Sequence, residues 1–357
     1  MNVFATQIKV LEQGFPLYDA VLNKTVIVRG TMMMPTSDSR AHHKLTRLST
    51  SPAIIGACPC CEIQGERCEQ LKITTYGGYG RWESNINKPE RRTQARINQE
   101  IEEANNNYPT PSGVKSLDAF SPVLASFDAV RQNVLCIMHV LCNTIKDLYL
   151  MMGNEGNKKM TPEKLALEKK AHKYTEFKSA NEKLPFHLPN NIKQQMGQNI
   201  YISRDIGVLR NPYTDSHIKS SEWLLLSGDL GTHLVGEHLE LHYRGVIQRL
   251  FKWMQDIMSF SHTKSELLDL EREIYDILTQ FEARFPKYMC SVNFHFLLHI
   301  VDYIRDFGPV YNTWNFSGER HFGRWKHFIK VSFSPYCFIL FYCNLFFFCF
   351  FFYCNIV

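Results

Sequence analysis

Thr25-Val26-Ile27-Val28-Arg29-Gly30-Thr31-Met32-Met33-Met34, closed by Pro35 and followed by Asp38, is the stretch on which the fold turns. Its apolar and β-branched residues predict a buried strand, and a proline, which has no N–H for a ladder, ends it. An acid just past the C-terminal end of a buried strand is where α/β folds put chemistry. On the N-terminal side, Phe4, Ile8, Val10 and Leu11 predict a short amphipathic helix that stops at Gly14, with a turn near Asn23-Lys24. On the C-terminal side, residues 50–135 are poorly periodic, broken by Gly77-Gly78-Tyr79-Gly80 and Asn105-Asn106-Asn107-Tyr108-Pro109. Helices then dominate. Val134–Met152 is strongly apolar, and Thr161 caps a second helix with Pro162 at its first position. Thr263 and Glu266 form a capping box ahead of a stripe at Leu267, Leu270, Ile274, Ile277 and Phe281. Phe294–Phe307 is a further helix, closed by Gly308-Pro309, and no internal repeat is evident.

At 357 residues, 45% apolar and 21% charged, the chain has the composition of a globular protein with one large core or two modest ones. A net charge of +5 by itself points to no partner. Basic residues cluster at Arg91-Arg92…Arg96 and from Lys158 to Lys183, which suits either phosphate contact or a solvated helix face. Eleven cysteines are unevenly spread, with Cys58, Cys60 and Cys61 together and Cys337, Cys343, Cys349 and Cys354 near the end. With an N-terminus that turns polar at once, without a signal-peptide pattern, they predict a reducing compartment and metal-type cysteines rather than a disulfide framework. Residues 331–357 carry no charge, and nine of the 27 are phenylalanine. That is long and apolar enough for a membrane span of roughly 20 residues. Nearly all its residue types, however, have codons with T in the first or second position, as a translated T-rich intron does. The expectation is an aberrant read-through tail outside the fold, with a tail anchor as the alternative.

Cys58-Pro59-Cys60-Cys61 has the CxxC spacing that lets two thiolates reach one tetrahedral Zn²⁺ from a tight turn. Alone it is half a site. His295 and His299, four apart on a helix, offer two more ligands, although histidines of an apolar helix also serve as ordinary core or surface residues. Cys136-Ile137-Met138-His139 is a weaker pair, for which a buried Cys and a satisfied His suffice. Among the acids, Glu319 stands out by its surroundings. Trp314-Asn315-Phe316-Ser317-Gly318-Glu319-Arg320-His321-Phe322-Gly323-Arg324-Trp325-Lys326 starts a basic, aromatic helix on that acid. Arg320, Arg324 and Lys326 suit DNA phosphates while Glu319 binds metal. Metal-assisted phosphodiester chemistry uses two Mg²⁺ roughly 4 Å apart, held by about three carboxylates.

The segment Gly308–Lys326 resembles the C-terminal signature of CACTA (En/Spm)-type transposases, which carry GP, an aromatic-rich stretch and ER…G.(L/W)K. Val28–Cys61 resembles the family's strand, Asp, small residues and "GCPxC". Tyr76-Gly77-Gly78-Tyr79-Gly80-Arg81-Trp82 resembles "YGGYRRF/W", with glycine at the first arginine. Gly113-Val114-Lys115…Phe127-Asp128…Met138-His139 resembles "GVKG…FD…DxMH", and Lys219-Ser220-Ser221-Glu222-Trp223 resembles "KASEW". These five matches run in the family's order across most of residues 1–330. Several are degraded. Cys136 and His139 fall where the family has a (C/D)xxH motif.

The resemblance implies an α/β core of RNase H-like type with a DDE acid triad, interrupted by a large, mainly α-helical insertion. It makes Asp38 the second acid and Glu319 the third, both holding Mg²⁺ or Mn²⁺ for cleavage and joining of DNA strands. Cys58 lies 20 residues after Asp38, and Glu319 lies 20 after His299. The recombinase that cuts antigen-receptor genes is similarly arranged, with Cys and His pairs bracketing its insertion on structural Zn²⁺. The implied domains are a partial catalytic core at 1–57, a zinc-associated helical insertion at 58–290, the rest of the core with the final acid at 291–330, and the aberrant tail at 331–357.

The first acid has no counterpart in this sequence. Asp19 precedes Asp38 by 19 residues, too few for the strands and helix the fold puts between its first two acids. The opening strands are expected to be missing, leaving the core incomplete and the ancestral enzyme inactive. The expected partner is DNA, with homo-oligomerisation a further possibility and the nucleus the expected location. The alternatives are a domesticated, non-catalytic DNA-binding or interaction protein, and a membrane protein held by its C-terminal tail.

Overall fold

In the computed structural model, the described residues are 2–32, 34–49, 53–68, 73–82, 89–105, 112–116, 118, 120–124, 127–153, 186–196, 209–215, 217–236, 238–316, 319–320 and 352–356. Helix α1 (Asn2–Gln13) comes first and ends at Gly14, whose φ of +91° a side chain would strain. Its buried face is Ala5 and Ile8 (0% and 1% exposed), whereas Val10, expected on that face, is half exposed.

Strands β1 (Phe15–Asp19) and β2 (Lys24–Met32) form an antiparallel hairpin through a turn in which Asn23 takes a positive φ. Strand β1 carries no strand signal in its residues. Along β2 burial alternates: Val26, Val28 and Met32 point inward, while Ile27 is 41% exposed. The expected fully buried strand is therefore a half-buried one with a solvated face, as antiparallel pairing permits. On its other edge, β2 pairs with Phe352–Ile356 of the tail, so a segment expected to lie outside the fold supplies a third strand. The aromatic and β-branched residues there suit extended pairing.

After Pro35 the chain enters a second sheet. Strand β3 (Thr36–Ser37) runs parallel to β6 (Val134–Leu135), with Ser37 opposite Leu135. Between them lie α2 (Ser39–Thr46), the antiparallel β4 (Glu66–Cys68) and β5 (Ile73–Thr75), and α3 (Tyr79–Trp82), α4 (Gln94–Asn105) and α5 (Ala129–Gln132). The expected helix from Val134 starts three residues late, at Ile137, because Val134 and Leu135 are taken into this sheet and Cys136 is the N-cap. Helix α6 (Ile137–Met152) follows β6 directly and is buried along most of its length.

The helical layer continues with α7 (Asn190–Gln195), α8 (Ser220–Leu226), α9 (Asp229–Gly236), α10 (Leu241–Ile257) and α11 (Lys264–Arg284). The capping box of α11 is complete. Thr263 Oγ1 accepts from the Glu266 N–H at 3.2 Å, and the Glu266 carboxylate accepts from the Thr263 N–H at 2.6 Å. All five expected stripe residues of α11 are buried. The helix expected over Phe294–Phe307 is instead α12 (Val292–Phe296), a 3₁₀ turn (Leu297–His299) and α13 (Ile300–Phe307), closed by Gly308 at φ +82°. One apolar cluster contains Met34, Cys58, Leu141, Trp253, Phe281 and Ile304, so all three segments of residues 1–330 share a core. Among the described residues no helix is long and apolar enough to cross a membrane.

Candidate metal centre

The CxxC turn lies after α2, at the foot of α12 and α13. Its backbone is pinned from two sides. His43 on α2 places Nε2 2.9 Å from the Ala57 carbonyl. On the other side, an isolated bridge joins Cys61 to Arg91, and the Glu62 N–H donates to the Glu90 carbonyl at 2.9 Å. The histidine side is set by packing. Phe281 of α11 stacks on Phe294 with ring centroids 4.6 Å apart. The Asp147 carboxylate accepts from Ser291 Oγ and Asn293 Nδ2, each at 2.8 Å, at the start of α12. Burial of Asp147 pushes its carboxyl pKa up, against the pull of those two hydrogen bonds.

These elements bring Cys58, Cys61, His295 and His299 together, and all four are buried. Cys61 Sγ lies 3.2 Å from His295 Nε2, Cys58 Sγ lies 3.4 Å from His299 Nε2, and the two Nε2 atoms are 3.3 Å apart. All four ligand atoms lie within 4.8 Å of one another. A tetrahedral ion with bonds of about 2.0–2.1 Å to nitrogen and 2.3 Å to sulfur separates its ligands by roughly 3.3–3.8 Å, so the donor set fits one. The Cys60 N–H approaches Cys58 Sγ at 3.4 Å, a hydrogen bond that orients a metal-bound thiolate. Cys60 itself faces away, its sulfur 3.0 Å from the Tyr303 hydroxyl. A side-chain hydrogen bond with Cys58, together with burial, holds the Cys60 thiol well above its usual pKa. A buried Cys₂His₂ group able to hold a metal ion is thus part of the fold.

The two carboxylates behave differently. Asp38 follows β3, not the longer β2, and its Oδ1 accepts from the Ala41 N–H at 2.8 Å, capping α2. Because β3 and β6 are parallel, Asp38 and Cys136 leave the sheet side by side, and the Cys136 N–H donates to the Ser37 carbonyl at 2.9 Å. One turn along α6, His139 Nε2 lies 3.0 Å from Glu319 Oε1. Burial works to lower the His139 pKa, but Cys136 and Glu319 outweigh it and lift it to about 10. Asp38 and Glu319 belong to no metal-holding group among the described residues. Among the described residues Asp38 thus serves as a helix cap and Glu319 as the partner of His139.

Arg320 is exposed beside Glu319, while Arg324 and Lys326 lie outside the described residues. So do Thr161, Pro162 and the lysine-rich stretch from Lys158 to Lys183. The other basic cluster is committed internally. Arg91 pairs with Asp302, Arg96 contacts Glu90 at 2.6 Å and Glu62 at 2.9 Å, and Arg92 is buried.

Several motifs singled out by resemblance are structural joints. Tyr76 and Tyr79 are buried, and the Gly78 N–H donates to Glu282 of α11 at 2.6 Å. A side chain at Gly77 would meet that carboxylate at 2.4 Å. Gly113, at φ +80°, passes so close to Gly56 that a Cβ would sit 2.8 Å from its Cα. Asp128 caps α5 through the N–H groups of Val130 and Arg131. Glu222, 4% exposed, is gripped by the Arg210 guanidinium at 2.6 Å, and Trp223 packs in the core. Sequence reasoning missed the roles of His43 and Arg92, as well as the His139–Glu319 contact. The (C/D)xxH match marked His139, but nothing along the chain joined it to Glu319.

Residues 257–341 match a family described as a domain of unknown function (DUF4218). That segment contains α11, both histidines of the metal group and Glu319. No curated protein matches the chain.

Proposed function

We propose that this chain descends from a DNA transposase of the CACTA (En/Spm) type, keeping its zinc clasp and lacking its strand-cleaving activity. The observation that carries this reading is the meeting of Cys58 and Cys61 with His295 and His299, residues up to 241 positions apart, in one buried group. Metal half-sites bracketing a helical insertion are what the ordered family motifs lead one to expect. The proposed ion is Zn²⁺, which suits two thiolates and two imidazoles and acts structurally when all four positions are filled by protein. In the ancestral reaction Mg²⁺ or Mn²⁺ supplies Lewis acidity at the scissile phosphate, and Asp38 and Glu319 are the residues of this chain that would hold it. An RNase H-like core around β3 and β6 belongs to the same reading, as do DNA as partner and a nuclear location.

Inactivity is supported by the absence of a counterpart to the first acid, and losing one carboxylate of a metal clamp costs orders of magnitude in rate. The helix cap made by Asp38 and the contact of Glu319 with His139 agree with that reading. The test is nicking of supercoiled DNA by the purified protein in Mg²⁺ or Mn²⁺. No turnover above that of Glu319→Gln is expected, and nicking that disappears in Glu319→Gln refutes the claim. In parallel, metal analysis should find one zinc per chain, lost in Cys61→Ser and in His299→Ala. Salt-dependent DNA binding without cleavage would mark a retained binding role.

A further inference from the structure

We propose that Arg92 is the positioning residue of the metal centre, holding the CxxC turn in its ligating shape before metal arrives. The inference rests on the metal reading above and adds a residue outside the ligand set. Arg92 is 4% exposed, and a buried guanidinium needs strong compensation. Buried arginines usually find it in a carboxylate facing the planar fork. Here every side-chain hydrogen bond among the described residues goes to a backbone carbonyl, and two of the three acceptors are the metal-ligand cysteines. Nε donates to Cys58 O at 2.9 Å and to Cys61 O at 3.1 Å, and Nη2 donates to Ser112 O at 2.8 Å. The Arg92 main chain joins in, its N–H donating to Cys60 O at 3.1 Å.

One N–H shared between Cys58 O and Cys61 O spans the CxxC turn like a staple. Both carbonyls are drawn toward Arg92, fixing the peptide planes from which the Cys58 and Cys61 side chains leave. The Nη2 arm ties the turn to Ser112, next to the tight Gly56–Gly113 crossing, while Nη1 is buried without a hydrogen-bond partner among the described residues. The turn is thereby anchored to a rigid neighbour. Arg91 meets the turn only through its main-chain bridge to Cys61, and the side chains of Arg91 and Arg96 make no such contacts. Arg91 reaches outward to Asp302, and Arg96 pairs with the carboxylates of Glu62, Glu90 and the buried Glu100.

The test uses the full-length protein with Zn²⁺ in chelator competition and Co²⁺ as the spectroscopic probe. Arg92→Lys keeps the charge and loses the planar fork, Arg92→Met loses both, and Arg96→Lys is the control. Far-UV circular dichroism in excess metal reports folding separately. The expected result is a 10- to 100-fold loss of zinc affinity in Arg92→Lys (about that seen when outer-shell partners are removed). Co²⁺–thiolate absorption should weaken, while Arg96→Lys stays near wild type. Arg92→Lys binding as tightly as wild type, with an unaltered Co²⁺ spectrum, overturns the inference and leaves the metal centre standing. Loss of fold in both Arg92 variants in excess metal also overturns it, since Arg92 then serves the core at large. Wild-type protein that takes up neither ion removes the metal reading, and this inference with it.

Discussion

The metal group and the Asp38–Glu319 region lie on the same scaffold and use their side chains differently. At the first, four side chains from two distant segments converge, with their supporting hydrogen bonds in place. At the second, β3 and β6 still bring Asp38 and Cys136 to one edge, but each carboxylate has found a partner within the chain. A ligand set built into packing is tied to the stability of the fold. A surface carboxylate is free to take a local hydrogen bond at little cost to stability. The difference teaches that packing, more than the local pattern of acids, holds the Cys and His side chains in place.

The sharpest way to break that comparison is to remove the proposed metal. Chelation or Cys61→Ser should cost on the order of 5 kcal/mol or more of folding stability, read as a large drop in the thermal midpoint. An unchanged midpoint would leave the two regions equivalent. Next is Phe281→Ala, which empties a fully buried position stacked on Phe285 and Phe294 behind His295. It should cost about 3–5 kcal/mol and weaken zinc binding as well. If stability falls with zinc affinity intact, the histidine side does not depend on α11.

A smaller effect probes the Asp38 end. Burial pushes the pKa of His42, on the helix that Asp38 caps, down to about 4 from an ordinary 6.5. Between pH 6.5 and 4 the unfolded chain takes up a proton that the folded chain refuses. Stability must therefore fall as pH drops through that window, by at most about 3 kcal/mol, and then level off. The difference between wild type and His42→Gln isolates this slope, because the acid sensitivity of the metal group cancels. Equal slopes in the two proteins would show that His42 charges freely in the fold. Smallest is Thr263→Ala, which breaks the α11 capping box for about 1 kcal/mol and should leave zinc affinity untouched.

How much was legible in the sequence differs between these regions for a physical reason. The α11 cap and stripe were readable because both are local, written within one helix. The four ligands were readable because CxxC and HxxxH each have a short spacing and complementary valence. By contrast, β1 was hidden because Phe15–Asp19 is mostly exposed and lacks an apolar alternation. Helix α4 escaped for a similar reason, being largely polar among breakers. The two-residue strands β3 and β6 are too short for any period, yet they decide where Asp38 lies. The contacts His139–Glu319 and Arg92–Cys58 depend on tertiary approach, and no local pattern announces them.

The sequence distance between the ligand pairs has a consequence for the order of events in folding. Helices α10 and α11 are neighbours in the chain and can pair early, since short loops close at little entropic cost. The Cys and His pairs meet only once the more than 230 residues between Cys61 and His295 have collapsed. On the proposed metal reading, capture of the ion is then a final latch rather than a nucleus. Chains made under zinc starvation should accumulate with their helical pairs formed and their two distant halves unjoined.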